Sequence, residues 1–128
     1  MSESTDFLEW IEKAEEDFLE AGFALRRKKV SEYIVCFHSQ QCAEKYLKAL
    51  LIERERTFPK THDLKTLNTL WEQAGILVAV SSTNLQLLSS YAIRVRYPGD
   101  PVAIEEAREA YNIAKTIRKF ARKFLNLK

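Results

Sequence analysis

The chain has 128 residues, enough for one domain (1–128) that buries a core without metal or disulfide staples. Only 3 Gly and 3 Pro, beside abundant Ala, Leu, Glu, Lys and Arg, exclude a turn-rich β architecture and point to an all-α protein. A net charge of +2 excludes a global pull toward nucleic acid or a membrane surface.

The first helix is predicted from about Thr5 to Lys28. Phe7, Ile11, Ala14, Phe18, Ala21 and Leu25 recur at spacings of 4,3,4,3,4, a sustained heptad seam. Asp6 followed by Glu9 resembles a capping box, and Arg26, Arg27, Lys28 and Lys29 crowd the far end, as the helix dipole favours. Ser31 is placed to cap the next helix. A connection this short makes the two helices antiparallel neighbours.

That second helix, Tyr33 to Ile52, is the one the others are expected to wrap. At about 100° per residue its apolar side chains point almost everywhere. Tyr33, Phe37, Leu47 and Leu51 fall to one side, and Val35, Cys42, Tyr46 and Ala49 to the other. A helix hydrophobic nearly all round belongs inside a bundle. Yet its middle turns carry His38, Gln40, Gln41, Glu44 and Lys45, with Lys48 following. A buried polar group without a partner costs about 1–3 kcal/mol, so these residues form either a satisfied network or a site.

After the break at Thr57-Phe58-Pro59, Thr61 or Asp63 starts a third helix with Leu64, Leu67, Leu70, Trp71 and Ala74 on one face. Gly75 fits the left-handed position that ends a helix, with Ile76 set for the hydrophobic contact that follows. Residues 76–82 read as a loop, and a shorter fourth helix from about Thr83 to Val95 presents Leu85, Leu88, Ala92 and Val95. Arg94-Val95-Arg96-Tyr97-Pro98-Gly99-Asp100-Pro101 then breaks the chain. Asp100 and Pro101 are expected to cap and open a last helix running to about Leu125. Its seam is Ala103, Ala107, Ala110, Ala114, Ile117, Ala121 and Phe124, small enough for close helix approach at a shallow crossing. Acids stand near its start and Lys115, Arg118, Lys119, Arg122 and Lys123 near its end, which the dipole accounts for. The architecture expected is an antiparallel up-and-down bundle of four to five helices.

No apolar run approaches the roughly 18 residues of a membrane span, and MSESTDFLEW lacks a signal pattern. Cys36 and Cys42 point in different directions on one helix and are not expected to pair. A soluble, reduced, cytoplasmic protein follows. No Gly-rich phosphate loop, zinc-spaced cysteine pair or Glu-x-x-His occurs, so neither metal nor cofactor is expected. Two polar constellations remain. One is the central group of Gln40, Gln41, Glu44, Lys45 and Lys48. The other is the Arg94/Arg96/Tyr97 corner, where Arg96 beside the amino end of the last helix is placed for an anion site and an arginine of the corner for pairing with Glu44, the two not being exclusive.

These residues resemble the HEPN domain, an all-α family named for higher eukaryotes and prokaryotes with suggested nucleotide binding. The matching pieces are Trp10, Ala14 and Glu15-Glu16-Asp17, then Phe37-His38-Ser39-Gln40-Gln41-Cys42-Ala43-Glu44-Lys45 with Lys48-Ala49-Leu50. His62-Asp63-Leu64 and Arg96-Tyr97-Pro98 complete them in order. The resemblance implies a homodimeric helical bundle, often encoded beside a minimal nucleotidyltransferase in toxin–antitoxin or defence modules. It also implies metal-independent ribonuclease activity in many members, through an Arg followed four to six residues later by His. Here that count from Arg96 reaches Pro101, Val102 and Ala103, and no histidine follows His62. The leading expectation is therefore a non-cleaving dimer that binds a nucleotide, RNA or a companion nucleotidyltransferase. Its candidate ligand residues are Arg96, Tyr97, Arg94, Gln40, Gln41, Glu44, Lys45 and His38. The alternatives are a ribonuclease toxin pairing Arg96 with His38 or His62, and a structural helical adaptor without a ligand.

Overall fold

A computed structural model describes residues 6–78, 80–94, 99 and 101–128. The described residues form five α-helices and no strand: α1 (Phe7–Arg26), α2 (Glu32–Glu53), α3 (Leu64–Gln73), α4 (Ser82–Arg94) and α5 (Ile104–Phe124). Together they make an antiparallel helical bundle, as the sequence suggested.

The second helix is the axis of the bundle and touches each of the other four. Thirteen of its 22 residues are buried and cover most of its circumference, leaving Ile34, His38, Gln41, Lys45 and Ile52 on one partly exposed side. Leu47, Leu50 and Leu51 are fully covered, each contributing about 1.5–3 kcal/mol of apolar burial. Three of its polar side chains, Gln40, Glu44 and Lys48, go inside with them, while His38, Gln41 and Lys45 lie along its one partly exposed side. Gln40, Glu44 and Lys48 are all at most 3% exposed.

The heptad seam of α1 faces this axis, with Ile11, Ala14 and Ala21 buried and Phe7, Phe18 and Leu25 packed at its edges. Asp6 caps α1 by accepting from the Leu8 amide at 3.0 Å. On α5, Ala107, Ala110, Ala114, Ile117 and Ala121 are buried against the bundle. The third helix ends as its sequence implies. Gly75 has φ +82°, its amide donates to the Glu72 carbonyl at 3.0 Å, and the buried Ile76 donates to Trp71 at 2.9 Å. That pair of bonds satisfies carbonyls the helix itself leaves open. Trp71 in turn sends its indole N–H to the Leu47 carbonyl at 2.8 Å, pinning α3 to α2.

Three local expectations fail. Ser31 is the residue before α2, but its hydroxyl makes no capping bond. The last helix begins at Ile104 rather than Pro101, and Ala103, an expected seam residue, is exposed as its N-cap. Burial of Val102 draws the preceding segment into the core, and the Glu106 carboxylate accepts from the Ala103 amide at 3.3 Å. A carboxylate reaching back from the third helical residue thus supplies the cap expected of Asp100, which lies outside the described residues, as does Val95. Among the described residues no helix is long and apolar enough to cross a membrane.

Candidate functional site

The polar residues of α2 divide into two networks on different sides of the helix. Gln40, Gln41, Glu44 and Lys48 form the first, one helical turn apart in the way that brings i and i+4 side chains together. Glu44 is its hub. Its Oε1 accepts from Gln40 Nε2 at 3.2 Å and lies 2.6 Å from His62 Nδ1, while Oε2 accepts from Lys48 Nζ at 3.2 Å. Gln40 Nε2 also donates to the His62 carbonyl at 3.1 Å, and Gln40 Oε1 accepts from Gln41 at 2.7 Å. The Lys48 ammonium sits 5.3 Å from the Trp10 ring centroid and 5.6 Å from that of Phe58. Two aromatic faces and a carboxylate thus surround a lysine that is 3% exposed.

This network meets solvent at His62, whose side chain is 59% exposed. The ring borders a groove of about 590 Å³, lined also by Lys60, Lys65, Gln86, Ser89 and Ile93. Its Nδ1 is engaged by Glu44, so Nε2 is the nitrogen left for an external partner. Carboxylate-oriented imidazole is an arrangement suited to proton transfer or to holding phosphate oxygen.

Asp17 anchors the second network. It is buried on α1 and faces His38 Nδ1 at 2.7 Å and Lys45 Nζ at 2.5 Å. His38 and Lys45 are therefore drawn to α1, away from Glu44. A third cluster lies between α1 and α5. Glu15 takes a two-pronged grip from Arg118, with Nε and Nη2 each at 2.7 Å, and also accepts from the Tyr46 hydroxyl. Burial alone pushes the Glu15 carboxyl up, but the Arg118 and Tyr46 hydrogen bonds and the charges of Arg118 and Arg122 outweigh it. The net effect holds Glu15 below its ordinary value.

At the far end of α4, Arg94 donates to Glu106 at 2.6 Å and to the Pro101 carbonyl at 3.0 Å, and Tyr91 donates to Glu106 at 3.1 Å. The Arg94 hydrogen bond, against a smaller effect of burial, holds the Glu106 carboxyl below its usual range. The amino end of α5 is thus served by the chain's own carboxylate. Of the corner's arginines expected to reach Glu44, Arg94 is held by Glu106 instead, and Arg96 lies, with Tyr97, outside the described residues.

The five-helix order, with a polar-cored α2 and His62-Asp63-Leu64 opening α3, follows the pattern of a known family, and the HEPN domain model matches residues 7–124. The chain belongs to the HEPN family. The HEPN bundle is similar to the crystal structure of TT1696 from Thermus thermophilus. The TM-score is 0.73 at 26% identity, covering 94% of this chain and 98% of that one. It is also similar to ST0689, described as an archaeal HEPN homologue, with TM-score 0.64 at 26% identity, covering 91% and 95%. No curated protein matches the chain.

Within this HEPN domain, sequence reasoning placed Gln40, Gln41 and Glu44 together correctly but grouped Lys45 and His38 with them. It missed Asp17, whose position three residues after Ala14 and four before Ala21 marks an acid on a buried seam. The partnership of Glu15 with Arg118, 103 residues apart, left no local signal. Both thiols are buried, and burial, with the Glu106 charge, pushes Cys36 up to about 12 and burial raises Cys42 as well, which disfavours the thiolate form. Among the described residues no group of three or more His, Cys, Asp or Glu is set to hold a metal ion.

Proposed function

We propose that this HEPN protein is a dimeric, non-cleaving partner of a minimal nucleotidyltransferase in a toxin–antitoxin or defence-type module, associating with a nucleotide or RNA. One observation carries the reading. No histidine follows Arg96 within the family's ribonuclease spacing, and each of the two histidines present has its Nδ1 held by a carboxylate, His38 by Asp17 and His62 by Glu44. Loss of a proton-transfer group typically lowers rate by about 10²–10⁴. The central cluster serves as the scaffold, since Gln40 and Glu44 are buried and hydrogen-bonded within one chain. Ligand contact is assigned to Arg94, Arg96 and Tyr97, with Gln41, Lys45 and His38 as the further candidates.

A cleavage assay with labelled RNA tests this, using Arg96→Ala as the control. The expected outcome is no cleavage above that control, and robust cleavage lost in Arg96→Ala overturns the proposal. Sedimentation should show a species near twice 14.9 kDa at tens of micromolar, and a monomer alone contradicts the dimer. Co-expression with a small nucleotidyltransferase encoded alongside should yield a complex.

A second reading, a ribonuclease pairing Arg96 with His62 or His38, draws on the carboxylate-oriented, exposed His62 ring between Lys60 and Lys65. It requires that His62→Ala or His38→Ala abolish cleavage while the bundle stays folded. An adaptor without a ligand draws on the internal pairing of the cluster, and predicts that neither nucleotides nor RNA shift the melting temperature.

A further inference from the structure

The carboxyl half of α5 and the residues after it concentrate positive charge that Glu15 only partly balances. Residues 115–128 contain Lys115, Arg118, Lys119, Arg122, Lys123 and Lys128 and no acid, a charge of +6. The remaining 114 residues hold 14 basic and all 18 acidic side chains, a net −4. The helix dipole acts only within the last turn, which explains Arg122 and Lys123. Lys115 lies nine residues before the end of α5 at Phe124, roughly 14 Å up the axis, beyond its reach. Arg118 and Arg122 face Glu15 and are held by it. Lys115, Lys119 and Lys123 are exposed. Spaced four apart, they form a ridge with steps of about 6 Å. The six cations border one open groove of about 470 Å³ that no Asp or Glu side chain lines.

We propose that this ridge is a second binding surface, one that takes the phosphodiester backbone of a nucleic-acid strand without reading its sequence. Lysines regularly spaced along a straight helix suit a chain of phosphates, where each contact releases a counterion. A protein partner fits less well. Lysine is depleted from protein–protein interfaces, which rely on buried aromatic anchors, and none borders this groove. A membrane fits less well too, because the apolar face of α5 is already spent on the bundle core and is not available to insert. Arg118 and Arg122 line the same groove and are held by Glu15, which balances one of their two charges. The surface is separate from the Arg94 end. Glu106, which Arg94 grips, lies nine residues before Lys115, about 14 Å along α5.

Fluorescence anisotropy with labelled 12-nucleotide single-stranded RNA and DNA of mixed sequence tests the proposal on the intact protein. Both strands should bind at 50 mM salt with similar affinity, and log affinity should fall against log salt with a slope of about −2, for three phosphates neutralised. The variant Lys115→Gln/Lys119→Gln/Lys123→Gln should bind at least tenfold more weakly with a flatter slope and an unchanged melting temperature. Lys119→Glu alone gives a milder change that should weaken binding in the same sense. Wild-type affinity in the triple variant overturns the proposal. So does retention by phosphatidylserine vesicles or polyglutamate without binding to either nucleic acid. Binding lost in Arg96→Ala but intact in the lysine variants also overturns it, while leaving the reading of the Arg94 end standing.

Discussion

The two longest helices treat their charges in opposite ways. On α2, Glu44 and Lys48 have side chains only 4% exposed and are bound into a network that includes His62 and Gln40. On α5, one face is alanine packed against the core and the other is a row of exposed lysines. The difference is solvent. Where water is excluded, a charge must have a protein partner, and its partner fixes neighbouring helices in place. Where water remains, a charge adds little to folding and stays available for something outside the molecule. Stability and binding should therefore separate between these helices.

The largest effect is expected in the buried network. Glu44→Ala takes the carboxylate away from a buried ammonium and should cost about 3–5 kcal/mol in chemical denaturation. Glu44→Leu with Lys48→Met, which removes both charges at similar volume, should recover most of that loss. If the double variant is no more stable than Glu44→Ala, the pairing is not what the network supplies. On the inner face of α5, Ala114→Leu should cost about 1–3 kcal/mol by overpacking a fully buried position. A smaller loss would show the α2–α5 contact to be looser than the alanine seam implies.

The pH dependence sharpens the same contrast where α1 meets α5, at Glu15, and where α4 meets α5, at Glu106. Glu15 and Glu106 both have folded-state values below the ordinary carboxylate range. The unfolded chain thus takes up protons first as pH falls. Their contribution is complete above the unfolded value of about 4.3 and is lost as pH drops through the lowered folded values. Glu15→Gln should flatten the acid side of the stability profile, read as urea midpoints from pH 5 down to pH 2. A profile as steep as wild type would remove Glu15 from the account. The smallest effect is reserved for the ridge. Lys115→Gln, Lys119→Gln and Lys123→Gln should each change stability by within about 0.5 kcal/mol. A larger loss at any of them would mean that the lysines are structural after all.

Much of the bundle is legible without coordinates. The α1 seam, the leucine face of α3 and the Gly75 ending are local patterns, set by periodicity and by the one residue type that enters the left-handed region freely. The boundary of α5 was misplaced because Asp100-Pro101 is a strong local start, whereas burial of Val102 and the reach of Glu106 set the observed one. The central cluster was half legible. Polar residues on a helix apolar all round had to be paired, but which carboxylate takes which base depended on elements far away in the chain. Lys45 and His38 belong to Asp17, and Arg94 belongs to Glu106.

The order of residues alone determined that four to five helices make an antiparallel bundle, that one of them lies at its centre, and that the histidine of the family's cleavage motif is missing from its place. These are properties of neighbours along the chain, where backbone geometry fixes which side chains share a face. Only the folded molecule decided the partners: Glu44 with Lys48 and His62, Asp17 with His38 and Lys45, Glu15 with Arg118. Ion pairing acts over a few ångströms of space and is indifferent to distance along the sequence, so it appears only once the helices have been brought together.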